Sequence, residues 1–134
     1  MKRLLIDTSV WIEFLRGTGS TACVRLRKAI TDDEPIVVPG LVRAELLRGV
    51  QTEPQATVLS EQLNEYDVSS PEEPQTYEHA ATLYRMARAR GFTVRSTVDC
   101  ILAALAAEGR DVLVHCDRDF DALAMVASFQ CETW

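Results

Sequence analysis

Leu4-Leu5-Ile6-Asp7-Thr8-Ser9-Val10-Trp11 decides how this chain is read. A short apolar run stops at an acid, two hydroxyl residues follow, and an amphipathic helix pattern begins with Val10, Trp11, Phe14 and Leu15 on one face. The run is too short for a buried helix and reads as a buried strand, with Thr8 or Ser9 able to cap the helix or to hold a ligand's oxygen. The same grammar returns at Val112-Leu113-Val114-His115-Cys116, the clearest strand, which ends at Asp117-Arg118-Asp119-Phe120 before another helix. Strands ending in acids and alternating with helices predict an α/β fold. The expected form is a three-layer α/β/α arrangement around a central parallel sheet. In such a sheet the carboxyl ends of the strands line one crevice, and ligands bind there.

Between these two units the pattern continues. Residues 20–31 read as a second helix and Ile36-Val37-Val38 as a second strand. Pro39 fits the first turn of a helix reaching about Val50. A helix is expected over 54–65 and a short strand at Tyr66-Asp67-Val68. A further helix begins near Ser70-Pro71, can be delayed by Pro74, and ends at Gly91. Ser96 and Asp99 form a capping-box-like start for an alanine-rich helix ending at Gly109. Phe120 to Ala127 reads as helix and Ser128 to Glu132 as an edge strand. No repeat or linker interrupts the 134 residues, so one domain over 1–134 is expected.

Composition narrows the class. The chain is 47% hydrophobic and 25% charged, which describes a globular protein. No apolar run approaches the ~20 residues that cross a bilayer, and no membrane partner is expected. The stretch after Lys2 and Arg3 stops at Asp7, too short for a signal peptide, so the expected location is the cytoplasm. The four cysteines, Cys23, Cys100, Cys116 and Cys131, form no C-x-x-C pair and are expected as buried free thiols. With that spacing and two histidines, zinc ligation is not expected. A net charge of −6 opposes non-specific nucleic-acid binding. Residues 85–95 offset it locally, with Arg85, Arg88, Arg90 and Arg95 and no acid; they either contact a phosphate backbone or pair with Glu72, Glu73 or Glu78.

Candidate chemistry lies with the acids: Asp7, Glu45 in Pro39-Gly40-Leu41-Val42-Arg43-Ala44-Glu45, Asp99 in Ser96-Thr97-Val98-Asp99, and Asp117, followed by Asp119. Each has an ordinary explanation. Asp7, Asp99 and Asp117 suit helix N-termini, and Glu45 can pair with Arg43 or Arg48. Delivered to one sheet edge, however, these carboxylates would repel unless a cation neutralised them. All-oxygen ligation suits Mg²⁺ or Mn²⁺. His79 and His115 read as structural or surface residues. Gly17-Thr18-Gly19 precedes no Lys-Ser/Thr, so it is not a phosphate loop. A phosphatase or phospho-acceptor domain is disfavoured by Ser9 two residues after Asp7 and by lysines only at positions 2 and 28.

Taken together, Leu5-Ile6-Asp7-Thr8-Ser9-Val10-Trp11, Arg43-Ala44-Glu45-Leu46-Leu47-Arg48-Gly49, Val98-Asp99-Cys100-Ile101-Leu102-Ala103-Ala104 and Asp117-Arg118-Asp119-Phe120 resemble, in order and spacing, the PIN-domain ribonucleases, in particular the VapC toxins of bacterial type II toxin–antitoxin systems. The resemblance covers nearly the whole chain. It implies a PIN-like fold and a Mg²⁺-dependent endoribonuclease, with Asp7, Glu45, Asp99 and Asp117 as the catalytic and metal-binding quartet and Asp119 as an auxiliary ligand. It also implies an RNA substrate, a VapB-like antitoxin and a homodimer. At the two positions before Asp117, where relatives often carry Thr-Asn, this chain has His115-Cys116. The alternative is a PIN-like module that binds RNA or protein without cutting, which the presence of all four acids disfavours. Apart from the resemblance, Trp11, Phe14, Leu15, Val24 and Leu26 are more apolar surface than two short helices need. Part of it can form a groove for a partner helix, with Phe14 and Leu26 expected in the core.

Overall fold

In the computed structural model, which describes residues 2–116 and 119–134 (without the Asp119 side chain), four parallel strands form one sheet in the order β2-β1-β3-β4. They are β1 (Leu4–Ile6), β2 (Ile36–Val37), β3 (Val112–His115) and β4 (Gln130–Thr133). Leu4 and Leu5 pair with Ile36 and Val37 on one side. Leu4, Leu5 and Ile6 pair with Val112, Leu113 and Val114 on the other. Leu5, Ile6, Leu113 and Val114 are fully buried, as the uninterrupted apolar runs require of a sheet covered on both faces. Each such side chain contributes about 1.5–3 kcal/mol on burial.

Among the described residues seven helices cover the sheet: α1 (Thr8–Arg16), α2 (Thr21–Thr31), α3 (Gly40–Arg48), α4 (Glu53–Leu63), α5 (Gln75–Ala89), α6 (Thr97–Gly109) and α7 (Asp119–Val126). α1 packs on α2 and α3, and α3 on α4, while α5, α6 and α7 pack on one another. The result is the expected three-layer α/β/α fold. In α6 the fully buried Ala103, Ala104 and Ala106 let the helix lie close to its neighbours.

The connections decide which residues share an edge. β1 runs straight into α1 at Asp7, and β2 leads through Val38 and Pro39 into α3. α6 enters β3 through Arg110 and Asp111, so it runs opposite to the strand. Its 13 residues span about 20 Å. The first turn of α6, with Asp99, therefore stands at the carboxyl edge where Asp7 leaves β1. At the opposite edge Asp111 is buried and gripped by Arg3 through Nε at 3.0 Å and Nη2 at 3.2 Å. Gly109 is needed there, since a Cβ would lie 2.7 Å from the Asp111 carboxylate.

Two local expectations change. The strand over Tyr66-Asp67-Val68 reduces to a bridge between Asp67 and Val37. Asp67 exchanges backbone hydrogen bonds with Ile36 and Val38 at the outer side of β2, and no further pairing follows. Pro39 is the N-cap of α3 and lies before its first turn. α5 starts at Gln75, with the delay by Pro74 that the sequence allows. The edge strand does form, two residues later than expected, and pairs in parallel with β3.

Candidate active site

Asp7 takes the N-cap position of α1 itself. Its Oδ2 accepts from the Ser9 amide at 3.1 Å and from the Ser9 hydroxyl at 2.6 Å. Its own amide donates to the Val114 carbonyl at 2.9 Å, which locks it to β3. The Thr8 hydroxyl turns the other way and donates to Glu45 Oε1 at 2.9 Å, joining the start of α1 to α3. Neither hydroxyl caps the helix: Asp7 already does so, leaving both free to orient carboxylates.

The electrostatics separate Asp7 from a structural acid. It is 6% exposed and forms no ion pair with any described residue. Asp111, also buried, has its arginine. A buried carboxylate without a cation is costly, so Asp7 occupies a position a metal would stabilise. Glu45 is half-buried, and among the described residues its one ion pair is with the largely exposed Arg48 at 3.9 Å. Arg43 is committed elsewhere, donating to the Ser60 carbonyl and hydroxyl and to Asn64 Oδ1 at 2.7–2.9 Å. The donor set of Asp7 and Glu45 with two supporting hydroxyls is oxygen alone, which fits Mg²⁺ or Mn²⁺.

Asp99 is half-buried in the first turn of α6, where its amide donates to the Ser96 hydroxyl at 3.4 Å, as the capping pattern predicts. Asp117 lies outside the described residues. Asp119 opens α7, and its side chain lies outside them as well. The chain approaches Asp117 from the site: the Cys116 amide donates to the Ser9 hydroxyl at 3.4 Å, so one serine touches both Asp7 and the residue before Asp117. Sequence reasoning named Thr8 and Ser9 but left them between capping a helix and holding a ligand's oxygen.

Of the other candidates, His79 is tied to Glu108 Oε2 at 2.6 Å, and Thr76 donates to Glu108 Oε1 at 2.7 Å, so this group links α5 to α6. Arg90 donates to the Met125 carbonyl at 2.8 Å and braces α7. Arg88 lies 5.6 Å from the Tyr84 ring centre. None of the four arginines pairs with Glu72, Glu73 or Glu78. The cysteines depart from the uniform expectation: Cys23 and Cys100 are buried, Cys131 is half-buried, and Cys116 is exposed. Burial pushes the Cys100 thiol up to about 11, aided by the Asp99 charge. Cys131 rises to about 11 through burial and the charges of Asp121 and Glu132.

A parallel α/β sheet with carboxylates at its carboxyl edge defines the class. The PIN domain family model matches residues 4–125. The chain is 35% identical over 132 residues to a VapC ribonuclease of Mycobacterium bovis and to ribonuclease VapC11 of Mycobacterium tuberculosis, covering 98% of each chain. The fold matches the crystal structures of VapBC2 from Rickettsia felis bound to a promoter DNA fragment (TM-score 0.76, 15% identity, 98% of both chains) and of DNA-bound VapBC from Salmonella typhimurium (TM-score 0.76, 17% identity, 100% and 99% covered). It also matches the structure of VapBC-1 from nontypeable Haemophilus influenzae (TM-score 0.77, 19% identity, 98% of both chains). The chain belongs to the PIN-domain family, in its VapC branch.

Proposed function

We propose that this protein is the toxin of a VapBC-type module, a single PIN unit over residues 1–134 that hydrolyses RNA phosphodiester bonds using Mg²⁺ or Mn²⁺. Asp7, Glu45, Asp99 and Asp117 hold the metal, and Asp119 assists. The observation that carries this is Asp7: a buried carboxylate at the sheet's carboxyl edge, oriented by Ser9 and without an ion-pair partner among the described residues. The curated relatives, named ribonucleases, support the reaction class. When bound, one or two such ions supply an activated water and neutralise charge on the phosphoryl oxygens. The protein's part is to hold the carboxylates in place: Ser9 orients Asp7, Thr8 orients Glu45, and the α6 cap fixes the turn that carries Asp99. Arg85 and Arg88 offer cations for the RNA backbone.

The test is cleavage of RNA by the purified chain with Mg²⁺ and after chelation. Chelation should stop cutting. Asp7→Asn should slow it roughly a hundredfold or more, since metal stabilisation of the transition state amounts to several kcal/mol. A wild-type rate in Asp7→Asn would remove the site assignment. Binding without cutting by the wild-type chain would favour the non-catalytic module.

The VapBC neighbours support an antitoxin partner. So do two exposed apolar faces. One is a groove of about 400 Å³ lined by Leu15, Val50, Val58 and Leu59, and the other lies around Tyr77 and Tyr84 on α5. Together they offer room for an antitoxin helix and for a second copy of the chain. Trp11 and Leu26 are buried, Phe14 packs against the core, and Leu15 and Val24 remain exposed. Co-expression with the product of the adjacent upstream reading frame should yield a co-purifying complex with suppressed cleavage. Failure to co-purify, with cleavage undiminished, would remove the toxin–antitoxin assignment alone. No described helix is long and apolar enough to cross a membrane, and action in the cytoplasm is part of this proposal.

A further inference from the structure

Beyond the oxygen-rich edge, β3, α7 and β4 bring together three donors of different chemistry. His115 ends β3 and is fully buried, Asp121 lies exposed in the first turn of α7, and Cys131 is half-buried on β4. In the β3–β4 register Cys131 stands opposite Leu113, so His115, two residues on, shares its face of the sheet. An imidazole nitrogen, a carboxylate oxygen and the thiol sulfur lie within 4.8 Å of one another. His115 Nε2 is 3.5 Å from Asp121 Oδ1, and the Phe120 ring packs on the imidazole with centroids 5.1 Å apart.

We propose that His115, Asp121 and Cys131 form a second metal site, which takes a thiophilic divalent ion of the zinc type with solvent as the fourth ligand. The mixed N, O and S set is what such ions select, whereas Mg²⁺ takes oxygen. Bonds of about 2.0–2.3 Å in a tetrahedron space donors roughly 3.3–3.8 Å apart. The His115 Nε2 to Asp121 Oδ1 distance of 3.5 Å already falls in that range, and the 4.8 Å limit on the cluster leaves at most about an ångström for the contacts with Cys131 to close. On ligation the Cys131 S–H bond breaks, the proton leaves to solvent, and the sulfur bonds the metal as thiolate. Burial, and after it the nearby Asp121 and Glu132 charges, hold the free thiol protonated, and those same charges favour the cation.

The consequence is local. His115 and Asp121 bracket the segment that carries Asp117 and Asp119, so the ion would staple its two ends and tie both to β4. The spacing along the chain has no zinc pattern; only the parallel β3–β4 pairing assembles the donors.

Co²⁺ is the probe. The chelator-treated full chain, titrated with Co²⁺, should develop a thiolate-to-cobalt charge-transfer band that saturates at one ion per chain and is displaced by Zn²⁺. Cys131→Ser should abolish the band. Asp121→Ala, an exposed substitution that leaves the fold intact, should weaken Co²⁺ binding at least about tenfold, the loss usual even for residues that only support a ligand. Cys116→Ser and Asp7→Asn should leave it unchanged. Absence of the band, its loss in Cys116→Ser, its loss in Asp7→Asn, or undiminished binding in Asp121→Ala would each overturn the proposal. The readout is absorbance, so a failure of the ribonuclease reading would leave this result standing, and the reverse also holds.

Discussion

Thr8 illustrates how much one hydroxyl decides. Its Oγ1 donates to Glu45 Oε1 at 2.9 Å across the junction of α1 and α3, and Glu45 has no other described partner nearer than Arg48 at 3.9 Å. Thr8→Val keeps the shape and removes the donor. Glu45 then loses the bond that orients it, so the Mg²⁺ concentration for half-maximal cleavage should rise 10- to 100-fold, the usual cost of losing a residue that positions a ligand. The rate at saturating Mg²⁺ should stay near the wild-type value. An unchanged Mg²⁺ requirement would show that Thr8 does not position Glu45 for metal. The placement of Asp7 and Asp99 was legible in the sequence, because one follows a strand at a helix N-cap and the other stands in a helix's first turn. The hydroxyl assignments were not, because they depend on Asp7 taking the N-cap first.

Among the elements, α6 connects stability to the site. Ser96 Oγ accepts from the Asp99 amide at the N-cap of α6, as Ser20 Oγ accepts from the Cys23 amide at α2. Removing either serine to alanine should cost about 1 kcal/mol of stability, measured by urea unfolding. Only Ser96→Ala should also lower RNA cleavage, because the frayed turn carries Asp99. Equal activity loss in Ser20→Ala would show a general effect of instability. The order of strands and helices could be read from apolar runs and cap residues, since these are local signals. Pairing is not local. Asp67 forms a single bridge beyond Val37, and nothing in Tyr66-Asp67-Val68 shows that pairing stops there. Likewise the approach of Cys131 to His115 depends on β4 lying beside β3, which no short motif records.

At the scale of the whole molecule, a chain of net charge −6 confines cost to the few places where acids are buried, and the two edges of the sheet treat them oppositely. Arg3 neutralises Asp111 at one edge, while Asp7 at the other has no ion pair with any described residue. Neutral acids are buried too, and they give the fold a definite alkaline limit. Cys100 and Cys131 are held up at about 11, chiefly by burial, and the half-buried Tyr66 phenol is raised by burial and then by Glu65. In the unfolded chain the thiols lose their protons near 8.5 and the phenol near 10. Between about pH 9 and 11 the unfolded state therefore binds fewer protons than the folded state, and stability falls as pH rises. The exposed Lys28–Asp32 pair acts in the same direction but contributes little. In chelator-treated protein the urea midpoint should be highest at or below about pH 8 and should drop progressively toward pH 11. Cys100→Ala should flatten that drop while lowering the midpoint at pH 8 through lost packing. A midpoint that held steady to pH 11 would mean that these groups ionise in the folded state as readily as in water, and hence that the core around α6 and β4 is open to solvent.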